Sequence, residues 1–351
     1  MKSKTTSWIG LDIGSHSIKC VETARENEKV RLLRAVLLPL EDSSPEGLLK
    51  TLKGVTESFP PSSKPIRIAV SGSSILIRRI ALPIMTHEEL KGAIRFEAEK
   101  HIPFSIEDCV LDFQMLNRVP TKKSMNVLLV AAKRDIILER LRLLETLQLR
   151  PELIDVDIFC LINAFETLGN ETENKTYGLL NIGHRFSSFA IMQDKLPFFV
   201  REIPFGGAGI TKALAELKGL AETEADLMKR QRPPDAAADL RAATQKGFEP
   251  LAEELRHSID FFENEATEDL KFIWVSGGGA LSFEAPAVLS EELGRTVSPW
   301  DNLKKMEISD TVDLNYLTPH APELNVALGM VLRGEGPRPF RAVGPEGRRS
   351  P

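Results

Sequence analysis

One segment of this chain is written twice. Trp8-Ile9-Gly10-Leu11-Asp12-Ile13-Gly14 returns at mid-chain as Tyr177-Gly178-Leu179-Leu180-Asn181-Ile182-Gly183. Each copy is an apolar run, a polar acid or amide, Ile and Gly, and then a polar turn with a returning apolar run. That pattern predicts a β-hairpin at both places. The first hairpin spans Trp8 to Ala24 around Gly14-Ser15-His16-Ser17, with Ile18, Cys20 and Val21 on the way back; the second spans Tyr177 to Met192. Third strands follow each, Val30 to Leu37 before Pro39 and Leu196 to Ile203 before Pro204. In a chain of 351 residues, long enough for about two domains, the repeat predicts two like-built lobes that face each other.

Between the copies, Pro45 to Phe59 carries Leu48, Leu49, Leu52 and Val55 at helical spacing, and Pro60, Pro61 and Pro65 close it before a strand at Ile66 to Val70. Over 76–150 the order is strand, helix, strand, strand, helix, that of a small α+β insert. Its first helix opens on a capping box of Thr86 and Glu89 and stops before Pro103. Its strands, Cys109 to Met115 and Asn126 to Ala132, flank a polar turn over Pro120 to Ser124, and its last helix is expected to start on Asp135 as N-cap and run to Leu147. Pro151 marks the exit. Past the second hairpin, helices are expected over Gly207 to Leu217 and Glu222 to Arg230, a loose Ala-rich helix over Ala236 to Lys246, and a separate amphipathic helix through Leu251, Leu255, Ile259 and Phe262. Lys271 to Ser276 reads as a strand running into Gly277-Gly278-Gly279, with a helix near Pro286 to Leu293. Asn325 to Leu332 reads as a packed helix with Gly329 at a close crossing, and the Pro/Gly/Arg-rich 335–351 as a disordered tail.

Composition narrows the function. Lys plus Arg (45) against Asp plus Glu (50) gives −5, which is neither a basic footprint for nucleic acid nor a polybasic membrane patch. Cys20, Cys109 and Cys160 lie far apart without a CxxC pair, and the six histidines form no HExxH, so a disulfide framework and zinc hydrolase chemistry are not expected. No apolar run nears the roughly 20 residues that cross a bilayer. The N-terminal run breaks at Asp12, too soon for a signal peptide. A cytoplasmic protein without direct membrane insertion is the expectation.

The glycine turns carry the chemistry. A strand ending in Asp-x-Gly followed by Ser-x-Ser offers N–H groups and hydroxyls to a phosphate, and the carboxylate can hold a hydrated Mg²⁺. Asp12, Gly14, Ser15 and Ser17 supply this set, with Lys19 to offset charge. One such turn is more often an ordinary hairpin. Two copies, with Gly277-Gly278-Gly279 at a strand-to-helix junction, point to an anionic ligand approached closely by backbone.

The combination resembles the actin/Hsp70/FtsA ATP-binding superfamily. The first hairpin is similar to its phosphate-1 motif, the second to its phosphate-2 motif, and Ser276-Gly277-Gly278-Gly279-Ala280 to its adenosine motif. Ile154 to Phe165 is similar to the first connecting helix, with Asp157 at its acidic position, and Asn325 to Arg333 to the second. Within the superfamily the chain resembles the PilM family of type IV pilus assembly. Arg79-Ile80-Ala81-Leu82-Pro83, Phe96-Glu97-Ala98-Glu99-Lys100-His101-Ile102-Pro103-Phe104 and Val110-Leu111-Asp112-Phe113-Gln114 are similar to that family's extra subdomain, 1C.

The resemblance implies an α/β chain with the actin-like two-lobed ATP-binding fold, built of ribonuclease H-like repeats with subdomain 1C inserted. Lobe I would take 1–75, 151–176 and 321–334, the insert 76–150, and lobe II 177–320. It implies ATP or ADP with Mg²⁺ between the lobes. Asp12 and Asn181 would face the metal, Asp12 through water. Gly14, Ser15, His16, Ser17 and Lys19 would cradle the phosphates; Gly183, His184 and Arg185 would close over them. Asp226 and Lys229 would reach the ribose and adenine, and Gly277, Gly278 and Gly279 would pack on the adenosine. Asp157 is the one candidate catalytic acid; it also reads as an N-cap. Three departures, Asn181 for an acid, Asp226 for a glutamate and Phe186 in the second turn, imply binding with slow or absent hydrolysis. The implied partner is the N-terminal cytoplasmic tail of PilN, held as an extended peptide between lobe I and the insert. Arg78, Arg79, Leu82, Pro83, Ile102 and Phe104 are its candidate walls. Other inner-membrane platform proteins and the pilus motor ATPases would be reached indirectly. The rival readings are an FtsA-like membrane-associated filament protein and a small-molecule kinase of the same superfamily. Liposome flotation and a phosphorylation screen, respectively, would reveal them.

Overall fold

The computed structural model describes residues 6–26, 29–42, 44–59, 65–119, 124–169, 175–266 and 268–333. The expected tail at 335–351 and most of the Pro120–Ser124 turn lie outside these residues. β1 (Thr6–Ile13), β2 (Ser17–Glu26) and β3 (Lys29–Pro39) form an antiparallel meander, followed by α1 (Pro45–Ser58) and β4 (Ile66–Val70). The chain then builds β5 (Ile75–Pro83), α2 (His87–Glu99), β6 (Cys109–Val119), β7 (Ser124–Lys133) and α3 (Arg134–Glu145). It returns through β8 (Pro151–Val156) to α4 (Asp157–Leu168). The second meander is β9 (Thr176–Ile182), β10 (Ser187–Gln193) and β11 (Leu196–Ile203). α5 (Gly207–Lys218), α6 (Glu222–Gln231) and α7 (Ala237–Ala266) lead to β12 (Phe272–Ser276), α8 (Ala285–Leu293) and β13 (Thr296–Pro299). β14 (Glu307–Ile308), α9 (Leu314–His320) and α10 (Asn325–Leu332) end the described chain.

The duplication extends to whole sheets. One runs β14-β3-β2-β1-β4-β8 and the other β11-β10-β9-β12-β13. In each, an antiparallel meander is extended by two parallel strands, β4 and β8 in the first, β12 and β13 in the second. β9, at the centre of its sheet and parallel to β12, and its antiparallel neighbour β10 are buried along almost their whole length, as strands covered on both faces are. β14 already pairs with β3 at Glu307, so the chain rejoins the first sheet before the boundary expected at residue 320.

α4 buries eight of its residues and α10 all eight of its own, the all-round apolarity of helices enclosed by protein. They cross at Gly329, where a Cβ would stand 1.7 Å from the Cys160 carbonyl oxygen. At its C-terminal end α10 is anchored by Arg333, whose Nη1 lies 2.5 Å from Oδ2 of Asp155, both side chains buried.

The insert is a three-stranded sheet, β5-β7-β6, with α2 packed on one face through Leu90, Ile94 and Ala98. The Thr86–Glu89 capping box is formed. Four local expectations are corrected. α3 starts at Arg134 on Lys133, without a side-chain cap, so Asp135 lies inside the helix. Ile154 to Val156, expected to open the connecting helix, are the end of β8. Val156, not Asp157, is the N-cap of α4. The loose Ala-rich helix and the amphipathic helix are one, α7, continuous through Pro250.

Candidate functional site

The two hairpin turns close alike. The Gly14 N–H donates to the Ser17 carbonyl at 3.2 Å, and the Gly183 N–H to the Phe186 carbonyl at 3.0 Å. The flanking pairs match as well, Ile13 with Ile18 and Ile182 with Ser187. Beside each turn, the neighbouring parallel strand ends in a second repeat, Val70-Ser71-Gly72 after β4 and Val275-Ser276-Gly277 after β12. Both glycines have positive φ, +108° at Gly72 and +87° at Gly277, a backbone state that L side chains resist. A Cβ on Gly277 would also stand 2.4 Å from the Ile182 carbonyl oxygen and 2.7 Å from the Asn181 amide oxygen. Sequence reasoning found the second of these turns and missed the first, although Val-Ser-Gly stands twice in the sequence.

The four turns face one cleft of about 780 Å³. It brings together every residue proposed for the nucleotide: Asp12, Gly14, Ser15, His16, Ser17, Lys19, Asn181, Gly183, His184, Arg185, Asp226, Lys229, Gly277, Gly278 and Gly279, and Asp157 with them. Phe186 of the second turn lines it as well, and Ser71, Arg140, Ser188 and Glu323, which were not foreseen, do too.

Its floor is electrostatically tense. Lys19 Nζ lies 3.2 Å from Asp12 Oδ2, both side chains largely buried. Burial draws the Lys19 ammonium down, but Asp12, with Glu323 and Asp157 behind it, outweighs this and holds it above the usual lysine range. Burial first, then the charges of Asp12 and Glu202, push the Asp157 carboxyl up to about 7, against the Ser71 hydroxyl and Lys19. Glu202, on β11, is pushed to about 7 by burial, although Ser188 and the Gly72 amide favour its ionised form. The Gly72 N–H donates to its Oε2 at 3.1 Å.

Across the opening, the rings of His16 and His184 stack at 4.8 Å with 25° between planes. Burial keeps both imidazoles below the usual range, His184 at about 4 with His16 adding to the effect. On the far wall, Asp226 meets Lys229 at 3.2 Å and Arg230 at 3.0 Å. Lys229 Nζ also donates to Thr211 Oγ1 at 2.6 Å and to the Gly207 carbonyl at 3.2 Å. The Asp226–Lys229 pair is therefore part of a cleft wall, with Lys229 held low by burial against the pull of Asp226. Among the described residues, no group of three or more His, Cys, Asp or Glu is placed to hold a metal ion by itself. The arrangement is a cation-rich, amide-lined cavity suited to a polyanion carrying an apolar or aromatic body.

The six candidate peptide walls are not brought together in this way. Leu82 and Ile102 are 4% and 8% exposed and belong to the core between the insert's sheet and α2. This corrects their choice as open walls, since strand alternation turns Leu82 inward with Ile80. The Arg79 guanidinium stacks over Phe198 of β11 at 4.2 Å, so it faces the second sheet, not a gap beside the first. Phe104 is half-buried under Lys133, whose Nζ lies 5.2 Å from the ring centroid. Arg78 and Pro83 are exposed.

The family model described as Type IV pilus assembly protein PilM matches residues 10–335. Among solved structures, the chain is similar to that of a PilM–PilN type IV pilus biogenesis complex, with 26% identity and a TM-score of 0.81 over 94% of this chain and 99% of that one. It is also similar to the ethanolamine utilization protein EutJ from Carboxydothermus hydrogenoformans, at 13% identity and TM-score 0.51, over 93% of this chain and 90% of the other. The second likeness speaks for the fold alone, which is the actin-like one. No helix among the described residues is long and apolar enough to cross a membrane.

Proposed function

This chain belongs to the PilM family of type IV pilus assembly proteins, and from that premise we propose that it is an ATP-binding scaffold of the pilus machine that holds the N-terminal tail of PilN. The observation that carries the nucleotide part is the pair of like hairpins facing each other across one cleft, each flanked by a Val-Ser-Gly turn. The amides and hydroxyls of residues 14–17 and the Lys19 ammonium take the β- and γ-phosphates. Gly183, His184 and Arg185 meet them from the second hairpin. Asp226 and Lys229 face the ribose, and the Gly277–Gly279 turn lets backbone lie against the adenosine.

A Mg²⁺ fits as a passenger of the nucleotide. Asp157 is a buried carboxyl kept partly protonated by burial and by Asp12, so a cation arriving beside it would be met by a second full negative charge. Asp12 and Asp157 would hold the ion through water, with Asn181 as a neutral ligand, and the ion would offset phosphate charge. The balance favours binding over turnover. Asn181 brings no charge, Phe186 no donor, and Lys19 already neutralises Asp12.

The tail would bind where the insert meets the first sheet. Arg78, Pro83 and Phe104 offer surface there, and Leu82 and Ile102 support it from behind. The structure of a PilM–PilN complex at TM-score 0.81 supports PilN as the partner. Through its partner the protein would act at the cytoplasmic face of the inner membrane. A fluorescent PilN-tail peptide titrated with this protein, with and without ATP and Mg²⁺, is expected to bind, and phosphate release in the same samples to remain slow. Loss of peptide binding in both conditions would overturn the scaffold reading, and brisk phosphate release would overturn the slow-hydrolysis part.

A further inference from the structure

α3 carries an amphipathic stripe with one residue out of place. Ile136, Ile137, Leu143 and Leu144 recur at helical spacing, with Leu147 in line just past the helix end, and the position between them is Arg140. Ile136 and Ile137 pack on the central core that includes Val70 and Val156, the last residues of β4 and β8. Leu143, Leu144 and Leu147 pack on the core of the first sheet with Ile66, the first residue of β4. Arg140, midway along α3, lines the cleft with Ser71 and Asp157 and is half-buried.

The other cations of the cleft, Arg185 apart, are engaged. Lys19 pairs with Asp12, Lys229 and Arg230 with Asp226, and Arg232 donates to the Leu281 carbonyl. Arg140 and Arg185 have no ion pair or side-chain hydrogen bond among the described residues. A guanidinium stays charged at any physiological pH, so a half-buried one that lines a cleft from a helix's apolar stripe, without a partner of its own, is placed to meet an anion. Its planar fork matches two oxygens of one phosphate. The amino end of α3 is fastened to the insert. The Arg134 Nε–H donates to the Glu107 carbonyl at 2.9 Å, and Lys133 lies over Phe104.

We infer that Arg140 binds the terminal phosphate of the nucleotide, so that the insert, through α3, distinguishes ATP from ADP. The inference rests on the nucleotide reading of the cleft. Calorimetric titration of the full chain with ATP and with ADP, for wild type, Arg140→Ala and Arg140→Lys, tests it. The alanine variant is expected to lose about ten- to a hundredfold in ATP affinity, the range for one charge-assisted contact, with ADP affinity little changed. Lysine keeps the charge without the fork and is expected to fall between. Equal loss for both nucleotides, or no loss for ATP, overturns the role of Arg140 while leaving the nucleotide site intact. Wild type binding neither nucleotide overturns the site itself. Because the readout is a difference between two ligands on one variant, general destabilisation does not imitate it.

Discussion

Glu202 ties the two halves of the cleft together. It sits on β11 of the second sheet, yet its Oε2 accepts the N–H of Gly72, at the end of β4 in the first. Its other oxygen, Oε1, is shut off from solvent with no hydrogen-bond partner. Such an oxygen is tolerable when the carboxyl is neutral and costly when it is ionised. That is why burial raises this group from 4.5 to about 7. Below the unfolded value the group is neutral in both states and carries no penalty. Above about 7 it is ionised in both, and the folded state bears a buried charge. Stability from the neutral form is thus lost as pH rises through that interval. Glu202→Gln keeps an acceptor for Gly72 and removes the charge. The variant is expected to melt a few degrees above wild type at pH 8, with the gap closing toward pH 4.5, as scanning calorimetry at both values would show. A gap independent of pH would exclude ionisation as its cause. Glu202 was not legible in the sequence, because a glutamate near the end of an alternating strand looks like any solvated residue. Asp12 and the hairpin glycines were legible, since their local pattern already implies a turn and an acid beside it, whereas Asp157 entered through the family resemblance alone.

At the scale of elements, α7 shows where local rules mislead. Pro250 argues for two helices, yet one runs from Ala237 to Ala266. The carbonyl that Pro250 leaves without its helical donor belongs to Lys246, on the exposed side, where water can serve it. Leu240, Ala243, Phe248, Leu251 and Leu255 continue one apolar stripe through the proline into the second core, so packing decides the matter. The same helix meets α5 at Gly247, where a Cβ would stand 2.5 Å from both Cα and N of Ile210. Two effects compete in Gly247→Ala. Helix propensity favours alanine by about 1 kcal/mol, while overpacking against an immovable backbone costs about 1–3 kcal/mol. A net loss of stability is expected, accompanied by weaker nucleotide binding, because α5 begins at Gly207, whose carbonyl receives Lys229. Gly92 is the control. It lies inside α2 with nothing within 4 Å of a built Cβ, so Gly92→Ala is expected to stabilise by about 0.5–1 kcal/mol. Denaturant melts of the pair check both signs. If both substitutions stabilise, the α5–α7 crossing is looser than its geometry implies. The insert's order of elements was legible because each had a stop signal of its own. The α5–α7 crossing was not, since no local pattern shows which helices meet.

For the molecule as a whole, the decisive fact is that one apolar core joins all three sheets. Trp8, Val21 and Leu32 of the first sheet, Tyr177, Leu179 and Val200 of the second, and Ile75, Ile77 and Leu128 of the insert belong to the same cluster, bridged by α4 and α10. The duplicated hairpins foretold two similar halves. They did not foretell this sharing, because contact between distant segments depends on how α4 and α10 cross at Gly329. A shared core makes independent unfolding of either half expensive, since each would expose the apolar face of the other. The protein is therefore expected to unfold in one cooperative transition despite its length. ATP, bound between the halves, would then raise that transition as a unit. At a hundred times its dissociation constant the linkage is worth about 2.7 kcal/mol, a shift of several degrees for a chain of this size. Calorimetry with and without ATP and Mg²⁺ tests both statements together. Two separate transitions, with ATP moving just one, would mean that the nucleotide is held by one half alone and that the facing hairpins do not share it.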